Sequence, residues 1–191
     1  MIKVDKQSVL DRLDFAKRRL TDLEELACNG EDLAGADPKE RQQLIQEFFF
    51  HLVGAIEFLA QVVNTSKTLK INAEEVTISG VCKKLNINDP IKSILGKLHP
   101  KTRGKPLPND PYSEEGCHFR IFVYRNRVCH HGHNPFHFRD YIGGPKEKPS
   151  TSLILDPRNR SLGASKESAI SELKQFYDLV YNKVLKVLQE L

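Results

Sequence analysis

The residues best suited to chemistry stand together in one short segment, in which Arg125 and Asn126 are followed by His130. Histidine can take or give a proton near neutral pH, and arginine presents a phosphate with planar, permanently charged donors. Asparagine can orient either of them by hydrogen bonding. These side chains suit cleavage of an RNA phosphodiester by its own 2′-hydroxyl. Such a reaction is expected to need no metal and no other cofactor.

Helical spacing indicates which of these side chains share a face. Asn126 and His130 are four residues apart and lie on one face, which Arg125 borders. His131 points roughly the other way, unless the helix has already ended. One arginine and one histidine supply half of a two-sided site, and a symmetric dimer would supply the rest. On spacing alone, a surface ion pair of Arg125 and a helix C-cap at His130 explain the same residues.

The segment Arg125-Asn126-x3-His130 resembles the R-N-x3-H form of the R-x4–6-H signature of the HEPN superfamily. The surrounding chain is similar as well, because a long helix containing residues 48–60 precedes the motif and a long final helix follows it. Residues 153–158 resemble a hairpin that some members of the family carry. The resemblance therefore covers most of the chain, with its specific part in six residues.

This resemblance implies an all-helical bundle, usually dimeric, with the motifs of both subunits facing one cleft. Many members are metal-independent ribonucleases in toxin–antitoxin, antiviral-defence or RNA-processing systems. By the same resemblance, Arg125 would hold the scissile phosphate, His130 would be the acid or base, and Asn126 would position them. His131 also fits the signature, as R-x5-H, and is the alternative acid or base, with His130 preferred because of the face on which it lies. The partners would be RNA, a second copy of the chain, and an antitoxin or sensor protein. The alternative is a non-catalytic module that binds RNA, a nucleotide or a protein.

The charge of the chain is unevenly distributed along its length. Residues 1–60 carry a net charge of −4 and residues 61–191 carry +8, although the whole chain carries only +4. Phosphate contacts need little more than positive charge. We therefore expect RNA to be bound by Lys101, Arg103, Lys105 and Arg127. Further candidates for lining an RNA groove or stacking on bases are Arg120, Arg139, Arg158, Arg160, Tyr124, Phe136, Phe138 and Tyr141.

A zinc site is a rival interpretation of the same region. His133-x3-His137 matches a spacing that zinc ligands use. The two cysteines in the region, Cys117 and Cys129, lack the close pairing typical of zinc knuckles, so no metal site is predicted. The other candidate ligands are His118, His130 and His131.

The elements that must position these residues are mostly helices. Apolar spacing predicts an amphipathic first helix that ends at Asn29-Gly30, and a second helix that begins at Asp37-Pro38. The second helix carries two apolar stripes, as expected for a helix covered on more than one side. Glu57 is expected on its narrow polar stripe, although pairing with another charged group would also explain it. A further helix is predicted from Ser113 to about His131, and Ser165 is expected to cap the last one.

The stretch between these helices is less regular. Residues 73–85 predict a helix weakly, Asp89-Pro90 marks the start of a short one, and residues 100–112 hold four prolines and form a loop. Alternating residues within 135–164 predict a two-stranded hairpin. The expected fold class is all-α: an antiparallel four- to five-helix bundle with a small β-hairpin inserted before the last helix. We expect it to form one domain over residues 1–191.

The cysteines and the hydropathy pattern indicate a compartment. Four scattered cysteines without a CxxC pair, behind an N-terminus with no apolar leader, predict reduced thiols in the cytoplasm. The most apolar stretch, residues 48–63, is interrupted by polar side chains and is short for a membrane span. It is interpreted as a buried helix of a soluble core, with no membrane partner.

Overall fold

The computed structural model describes residues 4–27, 32–100, 102–129, 135–138 and 151–191. The described chain is mostly helical, as the predicted all-α class requires. Its helices are α1 (Lys6–Leu26), α2 (Pro38–Ser66), α3 (Ile78–Lys84), α4 (Pro90–Leu98), α5 (Glu114–Tyr124) and α6 (Ala169–Gln189). Shorter elements are 3₁₀ turns at Ala73–Glu75 and Arg160–Leu162, a π-helical turn at Arg125–Cys129, and strands β1 (Phe136–Phe138) and β2 (Thr151–Leu153).

The helix starts follow the capping signals in the sequence with one exception. The Asp37 carboxylate accepts backbone N–H groups at the start of α2, where Pro38 occupies the first turn. Asp89 caps α4 in the same way. The prediction that Ser165 caps the last helix is wrong, because the Ser168 hydroxyl accepts the Ser171 N–H and α6 begins after it. The predicted end of the first helix at Asn29-Gly30 lies outside the described residues.

The core is one buried apolar cluster to which all six described helices and both strands contribute. α2 packs along α1, and α6 contacts both of them. Both predicted stripes of α2 are buried, and Phe48 and Phe49 are fully covered. The Phe49 ring stacks on Tyr124 at 5.3 Å between centroids and lies 6.3 Å from that of Phe176. Thus α2 is covered on more than one side, as its pattern predicted.

Among the described residues, α2 is also the helix that is long and apolar enough to cross a membrane. Of the apolar window that meets this test, 56% is buried inside the protein. A core helix of a soluble protein has the same length and composition, so this property assigns no location.

The two strands lie antiparallel, with Phe136 opposite Leu153 and Phe138 opposite Thr151. The Ile154 N–H extends the pairing by donating to the Pro135 carbonyl at 2.9 Å. Residues 139–150, which belong to the predicted hairpin, lie outside the described residues.

A buried ion pair joins α5 to α6. Arg120 and Glu172 are each only 1% exposed, and the guanidinium bonds the carboxylate directly. Arg120 also donates to the Tyr124 hydroxyl at 3.1 Å and to the Leu155 carbonyl at 3.2 Å, while the Tyr124 hydroxyl donates to the Ile154 carbonyl. Burial raises the pKa of Glu172, and the Arg120 charge opposes this. The prediction that Arg120 and Tyr124 contact RNA is therefore wrong, since both are core residues.

Removing one member of this pair is expected to destabilise the fold strongly. Glu172→Ala leaves the Arg120 charge buried without its partner, and such losses cost about 3–5 kcal/mol. The exposed pair between Lys174 and Glu24, at 2.8 Å, is the control, and Glu24→Ala should cost less than about 1 kcal/mol. Urea unfolding of both variants measures the difference, and equal losses would contradict this account.

Candidate functional site

The backbone that carries the motif changes geometry at its first residue. α5 ends at Tyr124, and Arg125–Cys129 form a π-helical turn where a continuous α-helix was predicted. The turn is fixed against α2, because the Gln46 amide donates to the Val128 carbonyl at 3.1 Å and the Val128 side chain is fully buried. Turns of this kind are rare and recur at functional sites.

The predicted α-helical spacing does not apply within the π-helical turn. A π-helix bonds residues five apart and so has more residues per turn than an α-helix. The α-helical angles that placed Asn126 beside His130, and favoured His130 over His131, do not hold through it. His130, His131 and His133 lie outside the described residues.

Arg125 and Asn126 stand together with Glu57 at the surface. The Arg125 Nη2 donates to Glu57 Oε1 at 3.3 Å, and its Nη1 donates to Asn126 Oδ1 at 3.2 Å. The Arg125 side chain is 22% exposed and that of Glu57 is 52% exposed. Glu57 therefore occupies the predicted polar stripe and also has a charged partner, and that partner belongs to the motif. The guanidinium is oriented from two sides and remains partly open to solvent.

The thiol in the π-helical turn is part of the packing. Cys129 is partly buried against the core, and its sulfur lies 3.3 Å from the Gln46 carbonyl oxygen. Burial raises the pKa of the Cys129 thiol, and the Arg125 charge opposes that shift only in part. The thiol therefore stays protonated near neutral pH and is no nucleophile there.

The residues predicted to bind RNA phosphates divide by exposure. Arg103 and Lys105 are exposed on the loop before α5, and Arg127 is partly buried in the π-helical turn. The Arg158 guanidinium bonds groups of the protein itself. It pairs with Asp156 at 2.6 Å and donates to the Thr102 and Lys105 carbonyls. Arg158 thus anchors the loop of residues 100–112, which is named the basic loop because it carries Arg103 and Lys105. Lys101 lies outside the described residues.

Of four further groove candidates, one is buried and the side chains of the other three lie outside what the structure describes. Phe136 is buried at 5% exposure, so its predicted role in base stacking is wrong. Arg139, Tyr141 and the side chain of Phe138 lie outside what the structure describes. Phe122 and Phe176 are core residues.

The described part of the chain contains no group of three or more His, Cys, Asp or Glu side chains placed to hold a metal ion. Cys117 and Cys129 lie at opposite ends of α5 and its π-helical turn. Burial raises the pKa of the Cys117 thiol, whose sulfur lies 3.5 Å from the Tyr112 carbonyl oxygen. Cys117 is therefore used in packing at the start of α5.

A separate cavity of about 1050 Å³ lies between α4, the start of α5 and the proline-rich loop. His118 lines it at 1% exposure, and within the described part of the chain neither of its ring nitrogens has a hydrogen-bond partner. Burial lowers the pKa of His118 to about 4, so the ring is neutral at pH 7. The other residues that line the cavity are Gly96, Lys97, Pro100, Lys105, Pro106, Leu107, Pro108, Asn109, Glu114, Glu115 and Phe119.

No pattern in the sequence indicates His99, whose ring the fold places against Phe122 near the C-terminal end of α5. His99 caps the C-terminus of α4, and its ring meets that of Phe122 edge-on at 4.6 Å. Burial lowers the pKa of His99, while the Glu57 carboxylate raises it. His99 precedes the motif by a whole helix and a loop, and no spacing rule in the sequence connects the two.

Comparison with known proteins adds no relative to this description: no family model, no curated protein and no solved structure matches the chain.

Removal of the Glu57 carboxylate is expected to loosen Arg125 without destabilising the fold. Glu57→Ala should change the free energy of unfolding by less than about 1 kcal/mol, since exposed ion pairs contribute little. Nitrogen-15 relaxation of the Arg125 Nε should report larger motion. Glu47→Ala, which breaks the α2 pair with Arg19 at 3.2 Å, is the control and should leave Arg125 unchanged. Unchanged Arg125 motion in Glu57→Ala would contradict the pairing.

Protonation of His118 is expected to oppose folding. Its pKa is about 4 in the folded chain and about 6.5 in the unfolded chain, so the unfolded state binds more protons between these values. Stability should therefore fall as the pH drops from 6.5 towards 4, by up to about 3 kcal/mol. His118→Leu should lose this component of the pH dependence. Urea unfolding from pH 4.5 to 7.5 checks it, and parallel curves for the two proteins would count against it.

Proposed function

We propose that this chain is a metal-independent endoribonuclease of the HEPN type that acts as a homodimer. The observation that carries the proposal is the Arg125 guanidinium, which is held by Glu57 and Asn126, is partly exposed, and stands five residues before His130. The resemblance of the motif supplies the reaction class. In this proposal the helices form an antiparallel bundle with a small hairpin before α6.

The chemistry divides between an arginine and an imidazole. The 2′-hydroxyl of the RNA attacks the adjacent phosphorus, the bond to the 5′-oxygen breaks, and a 2′,3′-cyclic phosphate is left. Arg125 stabilises the negative charge that develops on the phosphoryl oxygens, which a planar guanidinium does well. His130 transfers a proton, with His131 as the alternative. Asn126 and Glu57 keep the guanidinium in place.

The basic loop supports binding of the RNA strand. Arg158 and Asp156 fix the backbone of this loop, and the side chains of Arg103 and Lys105 remain at the surface. In this proposal they bind flanking phosphates together with Lys101 and Arg127. The net charge of +8 after residue 60 favours the same partner.

A second copy of the chain and a regulatory protein complete the proposed system. In a symmetric dimer, the two motifs face one cleft and each contributes to a composite site. A ribonuclease of this kind in the cytoplasm requires control, which an antitoxin or sensor protein would provide in a toxin–antitoxin or antiviral setting.

Cleavage of single-stranded RNA in EDTA tests the proposal. Wild type should cleave, and Arg125→Ala should lose about 10²–10³-fold in rate through loss of charge stabilisation. His130→Ala should lose about 10²–10⁴-fold, and the same loss in His131→Ala instead would reassign the proton-transfer group. Arg18→Ala on the exposed face of α1 is the matched control and should cleave like wild type.

Two outcomes would reject the enzyme. The first is no cleavage by the wild type, and the second is equal cleavage by all variants, which indicates a contaminating nuclease. RNA retention in a gel-shift assay without cleavage would identify the non-catalytic binding module instead.

A further inference from the structure

We propose that the cleft between α4, the start of α5 and the basic loop binds a small aromatic carboxylate that carries a hydroxyl group, with His118 as the partner of the hydroxyl. The cleft has a volume of about 1050 Å³. Small-molecule sites are clefts of about this size, with apolar walls and a few polar groups that orient the ligand. The proposal concerns a different place from Arg125 and does not depend on the ribonuclease.

His118 is the polar side chain at the buried end of the cleft. It lines the cleft at 1% exposure, and among the residues that the structure describes no hydrogen-bond partner reaches either ring nitrogen. Buried polar groups in folded proteins almost always have such a partner, and each exception needs an explanation. A ligand hydroxyl held against this ring supplies the missing partner.

The imidazole is in the protonation state that suits a hydroxyl. Burial and the Lys183 charge on α6 lower the pKa of His118 to about 4, while the Glu114 charge on its own helix opposes the shift. The ring is therefore neutral at pH 7 and offers one N–H donor and one nitrogen acceptor. A hydroxyl both donates and accepts, whereas a carboxylate only accepts, so the hydroxyl is the better partner at this end.

The walls of the cleft are largely apolar. The basic loop contributes Pro100, Pro106, Leu107 and Pro108, and α5 contributes Phe119. These side chains offer contact surface but no hydrogen bonds. They therefore favour an aromatic ring over a polar body such as a sugar.

The wall formed by the basic loop is fixed in place. Arg158 donates to the Thr102 and Lys105 carbonyls, each at 3.0 Å. Towards the other end of the loop, a Cβ on Gly116 would collide with the Asp110 carbonyl oxygen, so the loop lies directly against α5. A wall that is already ordered loses little conformational entropy when a ligand binds.

The charges that line the cleft favour one carboxylate. Glu114 pairs with Lys183 at 2.8 Å, so its charge is balanced within the protein. In the described ranges of the chain, Lys97, Lys105 and Glu115 take part in no ion pair, which leaves one net positive charge along the lining. All three side chains are exposed. The carboxylate therefore lies at the mouth of the cleft, beside the two lysines, while the hydroxyl reaches His118.

Three related probes test the site on the unaltered protein. They are para-hydroxyphenylpropanoate, phenylpropanoate, which lacks the hydroxyl, and para-hydroxyphenylpropanamide, which lacks the charge. Amide NMR titration should give saturable shifts at the cleft residues, with a Kd of about 1 mM or lower for the first probe. Phenylpropanoate should bind about three- to tenfold more weakly through loss of one hydrogen bond. The amide should bind about two- to fivefold more weakly.

Variants match each missing group of the probes. His118→Leu should bind the hydroxylated and the unhydroxylated carboxylate about equally, because leucine has no group to bond the hydroxyl. Lys97→Met combined with Lys105→Met should bind the carboxylate and the amide about equally. Lys39→Met at the start of α2, outside the cleft lining, is the control and should keep both preferences of the wild type.

Gly96→Leu should close the cleft without harming the fold. Gly96 lines the cleft, and a Cβ on it meets no atom within 4 Å. Leucine also favours a helix more than glycine does. The variant should fold and bind none of the three probes. Ser93→Leu, which places the same side chain at an exposed position of α4 outside the lining, is the control and should bind all three like wild type.

Several outcomes would overturn the proposal. They are no saturable binding of the hydroxylated carboxylate to the wild type, saturable shifts away from the cleft, and undiminished binding to Gly96→Leu. Equal affinity of the wild type for the hydroxylated and unhydroxylated carboxylates also overturns it and assigns the His118 nitrogens to ordered water. If His118→Leu does not fold, the probe comparison on the wild type decides. Because every readout is binding, failure of the ribonuclease proposal leaves this result unchanged.

Discussion

The buried ion pair between Arg120 and Glu172 determines where the motif emerges from the protein. It fixes α5 to α6, and the bonds from Arg120 and Tyr124 to the backbone of residues 154–155 fix α5 to the segment after β2. Tyr124 is the last residue of α5, and the motif begins at the next one. Burying two opposite charges adds little net stability, because the cost of removing them from water offsets their attraction. The clearest effect of the pair is therefore to permit one relative position of α5, α6 and the segment after β2.

Much of the helical framework can be predicted from the sequence, because apolar stripes and capping residues are local signals. Asp37-Pro38 and Asp89-Pro90 mark helix starts that the structure confirms. The burial of Arg120 cannot be predicted in this way. Arg120 and Arg125 are five residues apart in one helical segment, and what distinguishes them is Glu172, which is 52 residues away from Arg120 in sequence. The capping exception at Ser168 likewise depends on Ser165 being bound to β2.

The candidate site was predictable only in part. The proximity of Arg125 and Asn126 could be predicted, because they are adjacent in sequence. Glu57 interrupts the apolar pattern of α2, which marks it as a charge that needs an explanation. The π-helical turn depends on Gln46 of α2, which bonds the Val128 carbonyl across the helix interface. The ring contact between His99 and Phe122 likewise depends on where α4 ends against α5. Contacts of this kind come from tertiary packing and cannot be predicted from the local spacing of residues.

The two arginines of this segment also show what burial does to function. Arg120 has a fully desolvated carboxylate partner, so exchanging that partner for another anion would leave Glu172 buried and unpaired. Arg125 has an exposed partner in Glu57, and opening such a pair costs at most about 1 kcal/mol because water solvates the released carboxylate. The pair with Glu57 is therefore a weak energetic constraint on the Arg125 guanidinium. The same residue type is thus buried with its partner at one position and paired at the surface five residues later.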